Sequence, residues 1–411
     1  MGGTTYHTSP KLVNRPAFVP PSIAPQMTLA GIPVEFFLFG FTLLGVAIFH
    51  HRNFEVAVVG LSVILAYKIF VSKINLVAHL GHEWHLLVNL GGLLLGFAIL
   101  ARQFEDSRVP DWLPKWLPGG WEGGMVLLVF IAVISTFLDN IAAAMIGGVI
   151  AKRLYREHVS VGFLAAIVAA SNAGGAGSVI GDTTTTMMWI AGVPILCVAK
   201  AFIASVTALL LSGVLAGRAQ HRVHPIHKTS TEGLKIDAGR LLIVFLIIGG
   251  AVAANVVFDF PAVGVWAAIA LGTAFRSTPW EELGRAWKGS LFLLSLVLSA
   301  SLMPVETLPH PSWQTAFVLG WVSAVFDNIP LTALALFQNG YDWGMLAFTV
   351  GYGGSMIWFG SSAGVALTNS FPEAKNTGRW LREGWHVVAA YVVGFAVMVV
   401  LAGWHPFQII R

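Results

Sequence analysis

The sequence predicts an all-α polytopic membrane protein made of two inverted repeats. Each repeat holds about five transmembrane helices and one re-entrant hairpin, and the chain has two discontinuous helices. Three observations predict this fold. The composition is 56% hydrophobic and 11% charged over 411 residues, with mean hydropathy +0.75, far from a soluble domain. Two stretches, 135–141 and 323–329, share one pattern: a serine, three further residues, then Asp-Asn-Ile. Lysine and arginine also fall mainly in loops that alternate between apolar segments, which is a topology signal.

Residues 1–30 are polar and contain proline. They lack the charged start, apolar centre and small-residue cleavage site of a secretory signal, and read as a flexible tail. A membrane-crossing helix takes about 20 apolar residues, and the first three spans fall at 31–49, 54–71 and 86–101. The connection 102–124 is amphiphilic, with Trp112, Trp116 and Trp121 suited to the membrane interface. Segment 125–150 carries Asp139-Asn140 at its centre, either in one helix or between two half-helices. Segment 161–195 is too long for one straight span. Glycine-rich breaks at 171–178 and 181–186, the second containing Asp182, mark a broken helix that lines a cavity. Span five is 196–217, and a polar linker follows at 218–240, with His221, His224 and His227. Spans six to eight fall at 241–258, 262–275 and 289–303. The second Asp-Asn run is 313–337, the second glycine-broken segment 345–369 and the tenth span 385–404. The chain thus divides into a tail at 1–30, a first repeat at 31–217, a cytoplasmic linker at 218–240 and a second repeat at 241–411.

The halves align at two offsets. Asp139 meets Asp327 at 188, whereas Gly174-Gly175 meets Gly353-Gly354 at 179, which also sets Gly181-Asp182-Thr183 on Gly360-Ser361-Ser362. The difference of nine fits a loop around 152–159 that the second half lacks. If both Asp-Asn segments turn back as hairpins, each half has an odd number of crossings and the halves lie inverted. Under that topology the loops at Arg52, 102–115, 152–156, 218–240, 276–288 and 375–382 share one side and hold 18 Lys and Arg. The other side holds five, namely Lys11, Arg15, Lys73, Lys200 and Arg411, and Lys68 lies within span two. This asymmetry obeys the positive-inside rule and favours inverted hairpins.

A carboxylate in a membrane-spanning helix costs about 2.5–3.5 kcal/mol on insertion scales, so two in matched contexts point to function. Transporters with inverted repeats build their sites from half-helix ends and unwound backbone near the midplane. The two hairpin tips and two glycine breaks are therefore expected to converge. They offer Asp139, Asn140, Ser178, Asp182, Thr183, Asp327, Asn328, Ser361 and Ser362, all oxygen-bearing, and hard cations such as Na⁺ prefer oxygen. Asp139 and Asp327 are the expected sodium ligands. With Lys68 the one basic residue in a span, the site is negative unless protonated, and it suits cations and protons better than anions. The plain structural readings differ. Asp139 and Asp327 can brace the hairpin ends, Asp182 can cap a half-helix starting at Thr183, and the hydroxyls can satisfy freed backbone groups. Lys68 can pair with a carboxylate or extend toward a membrane face.

Other chemistries are weaker. The group His79, His82, Glu83 and His85, expected in the loop before span three, lacks the His-Glu-x-x-His spacing of a hydrolytic zinc site. The central histidines suit a pH sensor or a solvated basic loop. No nucleotide-binding P-loop occurs, and the single Cys197 rules out an intrachain disulfide. The basic residues form no patch for nucleic acid. No enzyme activity and no cofactor are expected. The partners are a small inorganic ion and the lipid bilayer.

The repeated Asp-Asn-Ile, the stretch 171–186 and the stretch 353–364 resemble the ion transporter superfamily, and most closely its NhaD-type sodium/proton antiporters. The resemblance covers roughly residues 85–405. It implies two re-entrant hairpins, two discontinuous helices, a homodimer and elevator-like alternating access, with sodium (or lithium) and protons as transported ions across a bacterial inner membrane. The superfamily also contains dicarboxylate and citrate carriers and arsenite exporters, so the alternative expectation is a cation-coupled carrier of a small anion. Their hairpin tips typically carry Ser-Asn-Thr, where this chain has Asp-Asn.

Overall fold

The structure is a computed structural model that describes residues 27–49, 52–227 and 235–409. The tail expected at 1–30 lies almost wholly outside the described residues, as does the middle of the linker at 218–240. A two-stranded antiparallel ribbon, β1 (Thr28–Leu29) with β2 (Ile32–Pro33), leads into helices throughout. Among the described residues, nine helices and two short pieces come first in chain order. They are α1 (Val34–Ile48), α2 (Asn53–Phe70), α3 (Leu76–Asp106), α4 (Val109–Trp112), α5 (Trp121–Ser135) and α6 (Asn140–Leu154). Then come α7 (Val161–Ala176), α8 (Thr183–Ile190), α9 (Ile195–Ala199), α10 (Ala201–Val223) and α11 (Ala238–Phe258). The second half continues with α12 (Pro261–Gly272), α13 (Glu281–Ser301), α14 (Trp313–Ser323) and α15 (Asn328–Gln338). It ends with α16 (Trp343–Gly353), α17 (Ser362–Ser370), α18 (Thr377–Glu383) and α19 (Trp385–Ala402). Five stretches, 53–70, 76–115, 195–223, 238–258 and 385–402, are long and apolar enough to cross a membrane. The protein is an all-α polytopic membrane protein.

Both Asp-Asn segments are pairs of short helices, which decides between the two sequence readings of 125–150. α5 and α6 have 15 residues each, and α14 and α15 have 11 each. At 1.5 Å per residue the pieces are about 16–22 Å long, short of the roughly 30 Å hydrocarbon core. The glycine-rich segments also break as expected, into α7 with α8 and α16 with α17. Every residue of α7 and of α16 is buried, and these two helices pack on each other at the centre. Around them lie α5, α10, α14 and α19. A second group, α1, α2, α3, α11, α12 and α13, packs mainly within itself and meets the first through α13 on α15 and α3 on α8.

Two glycines let the central helices approach their neighbours. A Cβ on Gly174 would lie 2.0 Å from the Ala132 carbonyl oxygen of α5, and one on Gly353 would lie 2.3 Å from the Gly320 carbonyl oxygen of α14. No side chain fits at either position. The two glycines are related by the offset of 179 read from the sequence.

Two boundaries differ from expectation. α3 starts at Leu76, capped by Asn75, whose side chain accepts from the Ala78 N–H. The group His79, His82, Glu83 and His85 therefore lies in a helix and not in a loop. An apolar window finds only the part of a helix that sits in lipid. At 31 residues, α3 is about 46 Å long and extends past the bilayer core. The histidines tie helix ends together: His79 Nε2 lies 2.8 Å from Ser301 Oγ, and His85 Nε2 lies 2.8 Å from the Asp259 carbonyl oxygen. Similarly, α10 runs on to Val223, so His221 is helical.

Ion pairs and backbone bonds join the basic loops to one another. Arg153 reaches Asp111 at 3.0 Å, Arg240 reaches Asp106 at 3.3 Å, and Arg276 reaches Asp237 at 3.1 Å. The His227 N–H donates to the Leu154 carbonyl at 2.9 Å. Loops 102–115, 152–156, 218–240 and 276–288 thus share one face, as the charge count assumed. Lys68 takes the pairing option: its Nζ lies 2.9 Å from Oε1 of the fully buried Glu35. Sequence reading missed Glu35 because it sits at the edge of a span, where a carboxylate needs no partner to be tolerated.

Candidate functional site

Each Asp-Asn pair sits where two half-helices meet. Asp139 is the N-cap of α6, with φ −53° and ψ 142°, and its Oδ1 accepts from the Ile141 N–H at 2.8 Å. Asp327 is the N-cap of α15, with φ −53° and ψ 141°, and its Oδ1 accepts from the Ile329 N–H at 3.0 Å. The glycine breaks match in the same way. Asp182 caps α8 at φ −143°, accepting from the Thr184 N–H at 3.0 Å, and Ser361 caps α17 at φ −141°, accepting from the Gly364 N–H at 3.3 Å. The structural reading of these aspartates is therefore correct: they cap helices. Capping uses one carboxylate oxygen and leaves the other for further chemistry.

The elements converge at a cavity of 460 Å³ between the two helix groups. Asp139, Asn140, Asp182, Thr183, Asn328 and Ser362 all line it. Asp182 is only 2% exposed, and its Oδ2 accepts from Asn140 Nδ2 at 3.2 Å. One end of the Asn328 amide is buried and unpaired. A carboxamide can turn either its oxygen or its nitrogen to such a position.

Three predicted residues stand apart from this lining. Asp327 borders a second cavity of 510 Å³, and its Oδ2 accepts from the Ser362 hydroxyl at 2.9 Å. Ser178 lines neither cavity. Its hydroxyl donates to the Thr136 carbonyl at 2.5 Å, a bond that secures the break in α7–α8 to the first hairpin. Ser361 is buried and faces Asn172.

Asn172 is the residue that sequence reasoning missed. It is fully buried on α7, accepts from Asn140 at 2.9 Å, and donates to Ser355 at 2.9 Å and Ser361 at 3.3 Å. It thereby joins the first hairpin tip to the second glycine break. The offset of 179 places Gly351 opposite it, so the halves are unlike here. That unequal pair, in otherwise matched stretches, was the available signal.

The charge balance favours cations. Among the side chains lining the first cavity, four carboxylates (Asp139, Asp182, Glu105 and Glu282) face two guanidiniums. Both guanidiniums are at the mouth and already paired, Arg102 with Glu105 at 3.2 Å and Asp106 at 3.3 Å, and Arg285 with Glu282 at 2.5 Å. Among the described residues, no group of three His, Cys, Asp or Glu forms a metal centre.

A family model described as citrate transporter matches residues 41–353. Among curated proteins, the chain is similar to the Na⁺/H⁺ antiporter NhaD of Vibrio parahaemolyticus, 27% identical over 346 residues, 69% of this chain and 83% of the relative. It is similar to the NhaD of Vibrio cholerae, 27% identical over 350 residues, 69% of this chain and 72% of the relative. It is also similar to sodium/proton antiporter 1 of Arabidopsis thaliana, 29% identical over 283 residues, 57% of this chain and 48% of the relative. The chain thus spans about half the length of the plant protein. With the family model covering most of the chain, the chain belongs to the citrate transporter family and is a membrane transporter, not an enzyme.

Proposed function

We propose that this member of the citrate transporter family exchanges sodium or lithium ions for protons across a bacterial inner membrane. The observation that carries this reading is that Asp139 and Asp182 line one cavity at the helix breaks, with Asp327 bonded to the lining residue Ser362 and no unpaired cationic side chain among the cavity-lining residues. Asp139 and Asp182 supply charge, and Asn140, Thr183, Asn328 and Ser362 supply neutral donors. Asp327 is linked to this set by its bond from Ser362. A carboxylate that holds a proton cannot also bind a cation through the same oxygen, so occupancy by one excludes the other. The curated relatives carry sodium/proton antiporter names, which agrees with this chemistry.

The position of the site supports alternating access. The first cavity runs between the group holding the helix breaks and the group containing α3 and α13, and the groups have few helix contacts between them. We read the inner group as sliding past the outer one, with 31–217 and 241–411 as inverted repeats, the Asp-Asn pairs as re-entrant hairpin tips near the midplane, and two chains as a homodimer. Arg102, Glu105, Glu282 and Arg285 line the first cavity and belong to the basic loops, which supports a route from it to the cytoplasm.

A second reading, a cation-coupled carrier of a small anion, draws on the family description and on Arg102 and Arg285. Both arginines are committed to carboxylates, which weakens it. Everted vesicles holding an acid interior distinguish the two. Sodium or lithium added outside is expected to collapse the proton gradient, and the absence of any response to either ion rejects the exchanger.

A further inference from the structure

The first cavity alone offers a cation what it needs. It presents two carboxylates, from Asp139 and Asp182, with the side-chain oxygens of Asn140, Thr183 and Ser362 nearby. A dehydrated hard cation requires several oxygen ligands at once. The second cavity is built differently. It runs from Asn53, at the start of α2, and Asn369, near the end of α17, to Asp327, between walls that include Leu43, Phe292 and Phe359. Asp327 is the one charged side chain lining it. Asp327 is held there by the Ile329 N–H and by Ser362, and no second carboxylate lines this cavity with it. Such a place cannot replace a cation's hydration shell, but a single carboxylate reached by water suffices to receive a proton.

Ile141, Gly289, Leu293 and Ser362 line both cavities, so the two adjoin at these residues. Ser362 is the residue with a polar side chain among these four and bonds directly to Asp327. Asn53 follows Arg52 in the chain, and Asn369 accepts a hydrogen bond from Lys375, so this end of the second cavity lies beside basic residues.

We propose that the second cavity is a separate water path along which the proton reaches the second hairpin tip, while the cation uses the first cavity. This rests on the exchanger reading above. A proton carried by water binds an Asp327 oxygen and later returns to water, with no other bond made or broken. Ser362 couples the routes, because its hydroxyl bonds to Asp327 on one side and faces the cation cavity on the other. The single cysteine, Cys197, lies in neither cavity, so Cys197→Ser gives a silent background.

The test places a cysteine at Ala366 in the second cavity or at Ala98 in the first, in the Cys197→Ser background. Everted vesicles are treated with a polar, sulfonate-bearing methanethiosulfonate after insertion, so folding is not at issue. Sodium/sodium exchange is measured with a radioactive tracer, and sodium-driven proton movement with a pH dye, before and after treatment. Labelled Ala366→Cys is expected to keep sodium/sodium exchange and to lose proton-coupled exchange by about tenfold, which is about 1.4 kcal/mol in barrier. Labelled Ala98→Cys is expected to lose both. No labelling at Ala366, equal loss of both fluxes there, no loss of either despite labelling, or an Ala98 label that spares sodium/sodium exchange would each overturn the separate path. A protein that moves no sodium before any reagent is added rejects the exchanger reading itself, and the separate path with it.

Discussion

At the residue scale the aspartates carry two duties, and the two can be separated. Asp139 and Asp327 accept backbone N–H groups as helix caps, and asparagine caps about as well as aspartate. Asp139→Asn and Asp327→Asn should therefore insert and unfold much as the parent does but show no sodium/proton exchange. Asp139→Ala should lose exchange and also about 1 kcal/mol of stability, the usual worth of a cap. Thermal unfolding in detergent beside vesicle exchange checks both. Full exchange by both asparagine variants would leave these carboxylates as caps alone. The two aspartates were legible in the sequence because charge in an apolar run stands out. Asn172 was not, because a carboxamide in a small-residue helix looks like an ordinary satisfied group until its partners on two other elements are seen. Glu35 was hidden for a related reason, since only the fold brings it to Lys68.

At the element scale the breaks depend on close backbone contact. Gly174→Ala and Gly353→Ala would each press a methyl group into a carbonyl of the neighbouring half-helix. Each should destabilise by about 1–3 kcal/mol, the range for overpacking. Gly249→Ala on α11 meets nothing within 4 Å and should leave stability unchanged or raise it by up to about 1 kcal/mol. Melting temperatures of the three variants test this, and a harmless Gly174→Ala would mean the helices do not approach as described. The cap of α11 supplies a pH test outside the membrane. Arg276 donates hydrogen bonds to Asp237 and holds its carboxyl below the usual carboxylate range. A lowered folded value means the contribution is complete above the unfolded value of about 3.9 and fades as pH falls through the lowered one. Amide protection at Gly239 and Arg240, taken relative to the intrinsic exchange rate at each pH, should hold from neutral pH down to that value and fall only below it. Loss of protection near neutrality would contradict the pair. Helix breaks at Asp-Asn and at the glycines could be read from sequence because local chemistry sets them. The true start of α3 and the true end of α10 could not, because hydropathy measures contact with lipid, and these helices run on past it.

At the scale of the whole molecule, the sequence offset of 179 reappears in the paired close approaches of Gly174 and Gly353 and in the matching caps of Asp182 and Ser361. Charge counting grouped the basic loops, and the ion pairs Arg153–Asp111, Arg240–Asp106 and Arg276–Asp237 then joined four of them. What composition and spacing could not give was the division of the site between two cavities, because that depends on how α1, α13 and α17 pack around the hairpin tips. The central claim is that sodium and protons trade places at these carboxylates. Purified protein in liposomes tests it most directly, with tracer sodium uptake and internal pH followed together after an acid-inside gradient is imposed. Sodium should accumulate as the interior turns alkaline, for the parent protein but not for Asp139→Asn. Sodium entry with no matching proton movement, or entry that requires an added carboxylate such as citrate, would contradict it.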